Sequence, residues 1–548
     1  MKRTLIIGLA IIMVLSLVAG CSTGGQQQKQ QGQGENNGTS NEVVIRYNMG
    51  TEPQTIDPAL NSALDGAEVI LHVFEGLTTL DENSKAKPGI AKSWEISDDG
   101  LTITFHLRDA KWSDGKPVTA GDFAYAWTRA LDPKTASSYA YQLYFIKNAE
   151  KFNLGEASAE DLGVKVIDDK TLEVTLENPT PFIMELFAFM TYMPVRKDII
   201  EAHPDDWTQN PETYIGDGAF KLAEWNHNDS IVLVKNENYW DAENIKPDKL
   251  VFTMISEPAT ELSAFESGDL DFGDNPPSTE LERLKQEGVL KEYPLLSTYA
   301  YVFNTKRAPF DNPKVRKAFS LAIDRKAIVD QIAKGGQPLA AAWVPYGMPD
   351  AKPGEDFRKV GGDYFDPTKA NVEEAKKLLA EAGYPDGKGL PEITLLYNTS
   401  ESHKAIAEAL QEMWKQNLGV DVKIANQEWQ VFLATRRQTH DYQIARWGWV
   451  SDYIDPMGFL DMLQTGMGNN DAQYSNPQFD EMIRKSKTAK TSEERMQYLH
   501  KAEDILMDDA VVMPIYFYIN YVVVDPKLQG YIVDPLGYVY FHHAYFAK

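Results

Sequence analysis

Between residues 371 and 452 the chain alternates helical and β patterning with only short Gly, Pro, Asn and Asp punctuation, and no other stretch narrows the fold as far. Asn371 and Glu374 form an N-x-x-E start resembling a capping box, Ala375, Leu378, Leu379 and Ala382 fall on one helical face, and Gly383 is placed to end that helix. A strand is predicted at 393–397. A helix with Ala405, Ile406, Leu410 and Met413 on one face follows, then a strand at 420–424, a helix from about Glu428 and a strand at 442–449. Strands separated by helices pair in parallel, and the ligands of such sheets sit beyond the carboxyl ends of the strands. His403 and Asp452 each fall just past a predicted strand end. By spacing alone they are either parts of one site or exposed polar residues of two loops.

The first half of the chain reads as strand-rich and mixed. Thr102-Ile103-Thr104-Phe105-His106-Leu107 and residues 171–176 alternate as half-buried strands do, and 230–234 is a further β-rich run. At 548 residues the chain exceeds what one core can organise, and about three domains are expected. With 43% hydrophobic and 24% charged residues, the body is a folded, water-soluble one. A formal net charge of −26 excludes nucleic acid as a partner, because binding to phosphate backbones depends on basic surface. The acidity itself names no ligand.

Met1, Lys2 and Arg3 precede a mostly apolar run over 5–19, too short to span a bilayer and suited to the core of a signal peptide. Leu17-Val18-Ala19-Gly20-Cys21 places small residues before the single cysteine of the chain and resembles the lipobox of bacterial lipoproteins, so Cys21 is the expected lipidated terminus. One cysteine excludes an intramolecular disulfide and a cysteine metal cluster. The Gln-rich segment 22–40 has almost nothing apolar to bury and is expected to be a disordered tether.

Catalytic constellations are missing from the sequence. It holds no His-Glu-x-x-His, no Gly-x-Ser-x-Gly, no P-loop and no dinucleotide fingerprint. Asp269-x-Asp271 with Glu280 imitates a calcium loop but carries Asp274 where the turn needs glycine. His542-His543 would point to opposite faces of a strand. No enzyme activity, cofactor or metal is expected.

Over nearly all of the mature length the chain resembles the oligopeptide-binding proteins of bacterial peptide importers, extracellular solute-binding protein family 5. The resemblance is carried by Phe74-Glu75-Gly76-Leu77, Pro88-Gly89-Ile90-Ala91-Lys92-Ser93-Trp94, Thr104-Phe105-His106-Leu107-Arg108, Lys111-Trp112-Ser113 and Asn236-Glu237-Asn238-Tyr239-Trp240. Residues 312–325 and 373–383, Leu396-Tyr397-Asn398-Thr399-Ser400 and Asn426-Gln427-Glu428-Trp429 continue it in order. It implies a periplasmic-binding-protein-like α/β clamshell of two mixed lobes plus an extra domain, closing on a buried peptide. The implied partition is lobe I over 41–74, 199–274 and 520–548, domain II over 75–198 and lobe III over 275–519, after a signal peptide at 1–20 and the tether at 21–40. The implied partners are short peptides and the membrane permease of an ABC importer, with the protein monomeric and held by its lipid on the extracytoplasmic face of a single-membrane, Gram-positive type of cell.

The resemblance also implies a site. Gly448-Trp449-Val450-Ser451-Asp452 matches the family segment whose aspartate takes the peptide ammonium through a charge-assisted bond. Backbone groups near Leu64, Gly448 and Val450 would pair with the peptide as an added strand, and Tyr139, Trp429, Trp449 and Tyr518 match pocket positions. Arg307, His403, Arg436 and Arg446 match cations that meet the peptide carboxylate. Related receptors for dipeptides, nickel chelates or haem and sensors of peptide signals remain open, and an extracellular peptidase is the remaining rival. If Cys21 carries the lipid, Cys21→Ser releases the protein to the medium or leaves it unprocessed. Retention of a correctly cleaved Cys21→Ser protein in the membrane fraction would refute the assignment.

Overall fold

The computed structural model describes residues 42–548, so the leader, Cys21 and the Gln-rich segment lie outside the described residues. Local patterning explains the elements. Thr102–Leu107 buries Ile103, Phe105 and Leu107 and leaves the alternate residues half-buried, as period-two patterning demands. It belongs to an antiparallel four-stranded sheet with the order Ala91–Ile96, Thr102–Leu107, Thr171–Thr175, Val164–Asp168.

The predicted βα alternation is present with shifted ends. Asn371 caps the helix Val372–Glu381 by accepting from the Glu374 N–H at 3.3 Å, while the Glu374 carboxylate pairs with Lys377 at 3.2 Å instead of completing the box. The helix Glu401–Leu418 buries Ile406, Leu410, Trp414 and Leu418, and Met413 and Ala405 lie at the margin of that face. It ends at Gly419, whose φ of +70° is the left-handed cap that glycine adopts without strain. That cap delays the next strand, which runs over Val422–Gln427 rather than from 420. Ile393–Asn398 pairs in parallel with Val422–Gln427 and, at two residues, with Ile444–Val450.

These strands form one half of a ten-stranded sheet. Its order is Val422–Gln427, Ile393–Asn398, Ile444–Val450, Leu290–Phe303, Val512–Val524, Phe272–Gly273, Val44–Asn48, Lys249–Thr253, Ser230–Lys235 and Phe220–Asn226. The two longest strands, Leu290–Phe303 and Val512–Val524, pair antiparallel in the middle, with register shifts between Pro294 and Thr298 and between Tyr299 and Ala300. Pro294 has no N–H to give, which suits it to such an interruption. The pairing resumes from Thr298↔Phe517 to Val302↔Val512.

Packing beside the sheet includes a stacked tryptophan pair and a matched buried ion pair. Trp343 stacks on Trp447 with centroids 4.8 Å apart. The Arg358–Glu503 ion pair, at 2.7 Å, is buried, and Glu503 also accepts from the N–H groups of Trp343 and Val344 at 3.1 and 2.8 Å. A buried pair is tolerable when its remaining acceptor positions are filled in this way. The aspartates of the false calcium loop have structural work: Asp271 accepts from the Arg46 N–H at 2.8 Å and Asp274 from the Tyr47 hydroxyl at 3.0 Å.

Glu75 and Asp534 are among the buried carboxyls that lack a cation contact. Burial pushes Glu75 up to about 7, opposed by donors on Trp240 and Tyr239. Burial likewise pushes Asp534 up to about 7, although its Oδ1 accepts from the N–H groups of Tyr538 at 2.9 Å and Leu536 at 3.0 Å. For Asp534 the folded value lies above the unfolded one, so the folded chain holds the proton through the intervening range. The resulting stabilisation is complete below about pH 4 and is lost as the pH rises through about 7, an effect on the order of a few kcal/mol. Asp534→Asn keeps the acceptor oxygen and cannot ionise. Its melting temperature is therefore expected to fall less than that of the parent between about pH 5 and pH 8; an unchanged slope assigns the pH dependence to other groups.

Candidate functional site

Ile444–Val450 carries the constellation on one strand. It pairs antiparallel with Leu290–Phe303 along its whole length, from Phe303↔Ile444 to Ser297↔Val450. On its other edge Ile393–Asn398 reaches only Ile444 and Ala445. Residues 446–450 therefore present an edge with no strand neighbour, the kind of backbone row to which an extended chain can be added.

Two adjoining cavities lie along this edge, with volumes of about 370 and about 470 Å³, and Leu64, Trp429, Arg446 and Tyr518 line both. The smaller is also lined by Tyr139, Arg436, Gly448, Trp449, Val450 and Asp452. The larger is lined by His403 and by the chain crossing at Asp274, Asn275, Pro276 and Pro277. The structure thus brings together every sequence-predicted site residue except Arg307.

Asp452 follows the strand end and is buried. Its Oδ1 accepts from the Tyr139 hydroxyl at 3.0 Å and its Oδ2 from Gln142 Nε2 at 2.6 Å, which holds the carboxylate in place with neutral donors. Burial drives this carboxyl well above the ordinary range; Asp461 adds to the rise and the bonds from Tyr139 and Gln142 oppose it. Guanidinium groups close by are engaged elsewhere, Arg436 with Asp471 at 2.8 Å and Arg495 with Asp455 at 2.7 Å. Among the described residues no cation lies within ion-pair distance of Asp452. Trp449 beside it is fixed by its indole N–H, which donates to the Gly458 carbonyl at 2.8 Å.

The four cations expected to meet a carboxylate differ sharply. Arg446 donates from Nη2 to the Tyr518 hydroxyl at 2.7 Å and lies over the Tyr299 ring at 5.1 Å. It has no carboxylate partner among the described residues, and its Nε is buried without a hydrogen bond. Arg436 also lines the cavity but is tied to Asp471, donates to the Arg446 carbonyl at 3.3 Å and is lowered by burial to about 10, so it stays cationic. His403 departs from the expectation of a cation: burial, aided by Arg446, holds its imidazole well below the ordinary value, and Nδ1 shares a hydrogen bond with the Tyr299 hydroxyl at 3.2 Å. Arg307 lines neither cavity. It pairs on the surface with Asp441 at 2.6 Å, the two side chains 43% and 69% exposed, and a pair so open to water contributes little.

Sequence reasoning missed Gln142, Asp65 and Arg437. Gln142 lies three residues after Tyr139 in a 3₁₀ turn, where positions i and i+3 share a face, and that spacing is the available signal. Asp65 follows Leu64 directly and accepts from the Trp429 indole N–H at 2.8 Å. Arg437 donates to the Ser62 carbonyl at 3.0 Å from across the cavity. No local pattern marks these last two pairings, whose partners are more than 360 residues apart in the chain.

The pattern of the bacterial extracellular solute-binding proteins, family 5 (middle part), matches residues 85–471. The chain is 42% identical over 554 residues to the oligopeptide-binding protein OppA of Bacillus subtilis, covering 100% of this chain and 99% of that one. Haemophilus influenzae OppA, solved in complex with the peptide RPPGFSPFR, superposes with a TM-score of 0.87 at 36% identity, covering 93% of this chain and 99% of the other. The unliganded open form of the murein tripeptide binding protein MppA, 35% identical, covers the same 93% of this chain and 98% of its own, yet reaches only 0.62. The chain belongs to the bacterial extracellular solute-binding proteins, family 5, a family of transport receptors and not of enzymes.

Proposed function

We propose that this protein captures short peptides in a cleft between two closing lobes and delivers them to an ABC-type importer, working from the extracytoplasmic face of the cell membrane with Cys21 as its lipid anchor. One observation carries the reading: a continuous cavity has an unmatched buried carboxylate, Asp452, towards one end, an unmatched guanidinium, Arg446, further along, and an open strand edge between them. A peptide in extended form supplies an ammonium, a carboxylate and a row of backbone donors and acceptors in that order. Binding by main chain and termini leaves side chains free to vary, which suits a receptor of broad range.

In this reading the lobes are 41–74 with 199–274 and 520–548 on one side and 275–519 on the other, with 75–198 as the extra domain. The stronger likeness to a peptide complex than to an open, empty relative supports a closed arrangement of the lobes. The crossings near Asn275 and Asn520, both on the wall of the larger cavity, are suited to act as the hinge.

Ligand-stripped protein is expected to bind tripeptides in calorimetry and to return them intact by mass spectrometry; no binding, or cleavage, overturns the reading. Asp452→Ala is expected to cost about 2 to 5 kcal/mol, the range for removing one partner of a buried charge pair. An N-acetylated peptide should lose a comparable amount on the parent and little more on the variant, since both changes delete one interaction. Additive losses place the amine elsewhere.

Arg446 and Val450 are four residue steps apart, roughly 13 Å at about 3.3 Å per step, the length of an extended tri- to tetrapeptide. Across tri-, tetra- and pentapeptides, Arg446→Met should weaken one length most, and amidating the carboxyl end of that peptide should add little further loss. Equal weakening at all three lengths puts the carboxylate on other groups.

A further inference from the structure

Asp65 stands in the first turn of the helix Leu64–Val73 and lines the cavity that holds Asp452, but not the farther one. It is buried, and its donors are all neutral. Oδ1 accepts from the Gly66 N–H at 2.7 Å, and Oδ2 from the Trp429 indole at 2.8 Å and the Thr51 hydroxyl at 3.2 Å. A carboxylate offers about four acceptor positions, so one is left.

The cations that line the same cavity point their hydrogen bonds at groups other than Asp65. Arg436 holds Asp471 at 2.8 Å, Arg437 holds Ser62 and lies 3.9 Å from Asp471, and Arg446 holds Tyr518. Among the described residues no cation comes within ion-pair distance of Asp65. Burial raises its carboxyl above the ordinary range, against its hydrogen bonds and the more distant Arg437. If Asp452 takes the peptide ammonium, a second carboxylate on the same wall still lacks a counter-charge. An unmatched buried carboxylate is costly, and a basic ligand group relieves that cost.

We infer that Asp65 is a specificity-determining residue that selects peptides carrying a lysine or arginine side chain near their amino end. The inference rests on the proposed peptide-binding function and names its favoured substrate class. It has a structural rival: through Trp429 the same carboxylate joins two parts of the cavity wall, and as a mere latch it would serve all peptides equally.

Calorimetry of ligand-stripped protein with Ala-Ala-Ala, Lys-Ala-Ala, Ala-Lys-Ala and Ala-Ala-Lys separates these. The parent should prefer lysine in the first or second place over Ala-Ala-Ala by at least about tenfold, the low end of the coupling of close charge pairs, with no such gain for lysine in the third place. Asp65→Asn retains an acceptor for Trp429 and removes the charge, and it should bring the lysine-to-alanine ratio to within about twofold. A ratio that survives in Asp65→Asn, or a variant that weakens all four peptides by one factor, overturns the inference in favour of a latch. A parent without lysine preference overturns it whatever the variant does, while its binding of Ala-Ala-Ala leaves the peptide-receptor reading standing. If none of the four peptides binds, both fail.

Discussion

The antiparallel pairing of Leu290–Phe303 with Val512–Val524 is the constraint on which the remaining architecture rests. These two strands are long enough to continue from one half of the ten-stranded sheet into the other, so both halves are built outward from a single ladder. Ile444–Val450 is seated on the outer edge of that ladder, and its own outer edge is covered only at its start. The uncovered stretch forms part of the wall of the two adjoining cavities. Backbone donors and acceptors that a neighbouring strand would otherwise satisfy are left to a ligand.

Desolvation sorts the charges around that groove by what they can do. Arg358 with Glu503 and Arg436 with Asp471 are matched within the protein, and such pairs hold segments together. His403, placed beside Arg446 in a buried setting, loses its charge and acts as a neutral polar group. Asp452 and Asp65 are buried with no cation in ion-pair reach and Arg446 has no carboxylate partner among the described residues, so these are the groups that gain most from a ligand charge of opposite sign. An enzyme would need such groups gathered at one reacting atom. Here Arg446 lies on the strand and Asp452 just beyond its end, an arrangement that suits the proposed recognition of two chain ends.

Periodicity alone located the helices Val372–Glu381 and Glu401–Leu418 and the strands between them, because burial of one face imposes a spacing that any reader of the chain can find. Its errors are at the boundaries: Glu374 turned to Lys377 instead of to the cap, and the left-handed Gly419 pushed the following strand two residues on. The Gly448 to Asp452 segment was legible through its resemblance to a family, since it is short and contiguous in the chain. Gln142, Asp65 and Arg437 were not legible, for each acts through a partner distant in sequence.

What the sequence by itself determined is the alternation of strands and helices and the absence of an intramolecular disulfide, because these follow from local spacing and composition, while the segment that ends in Asp452 was marked by its resemblance to a family. Which cations count was decided only by tertiary structure. Arg307 and Arg446 are equally basic on paper, yet one pairs in water with Asp441 and the other is half-buried among tyrosines with no acid within ion-pair distance among the described residues. The free energy of a charge is set by its dielectric surroundings and its partners, and both are properties of the folded chain alone.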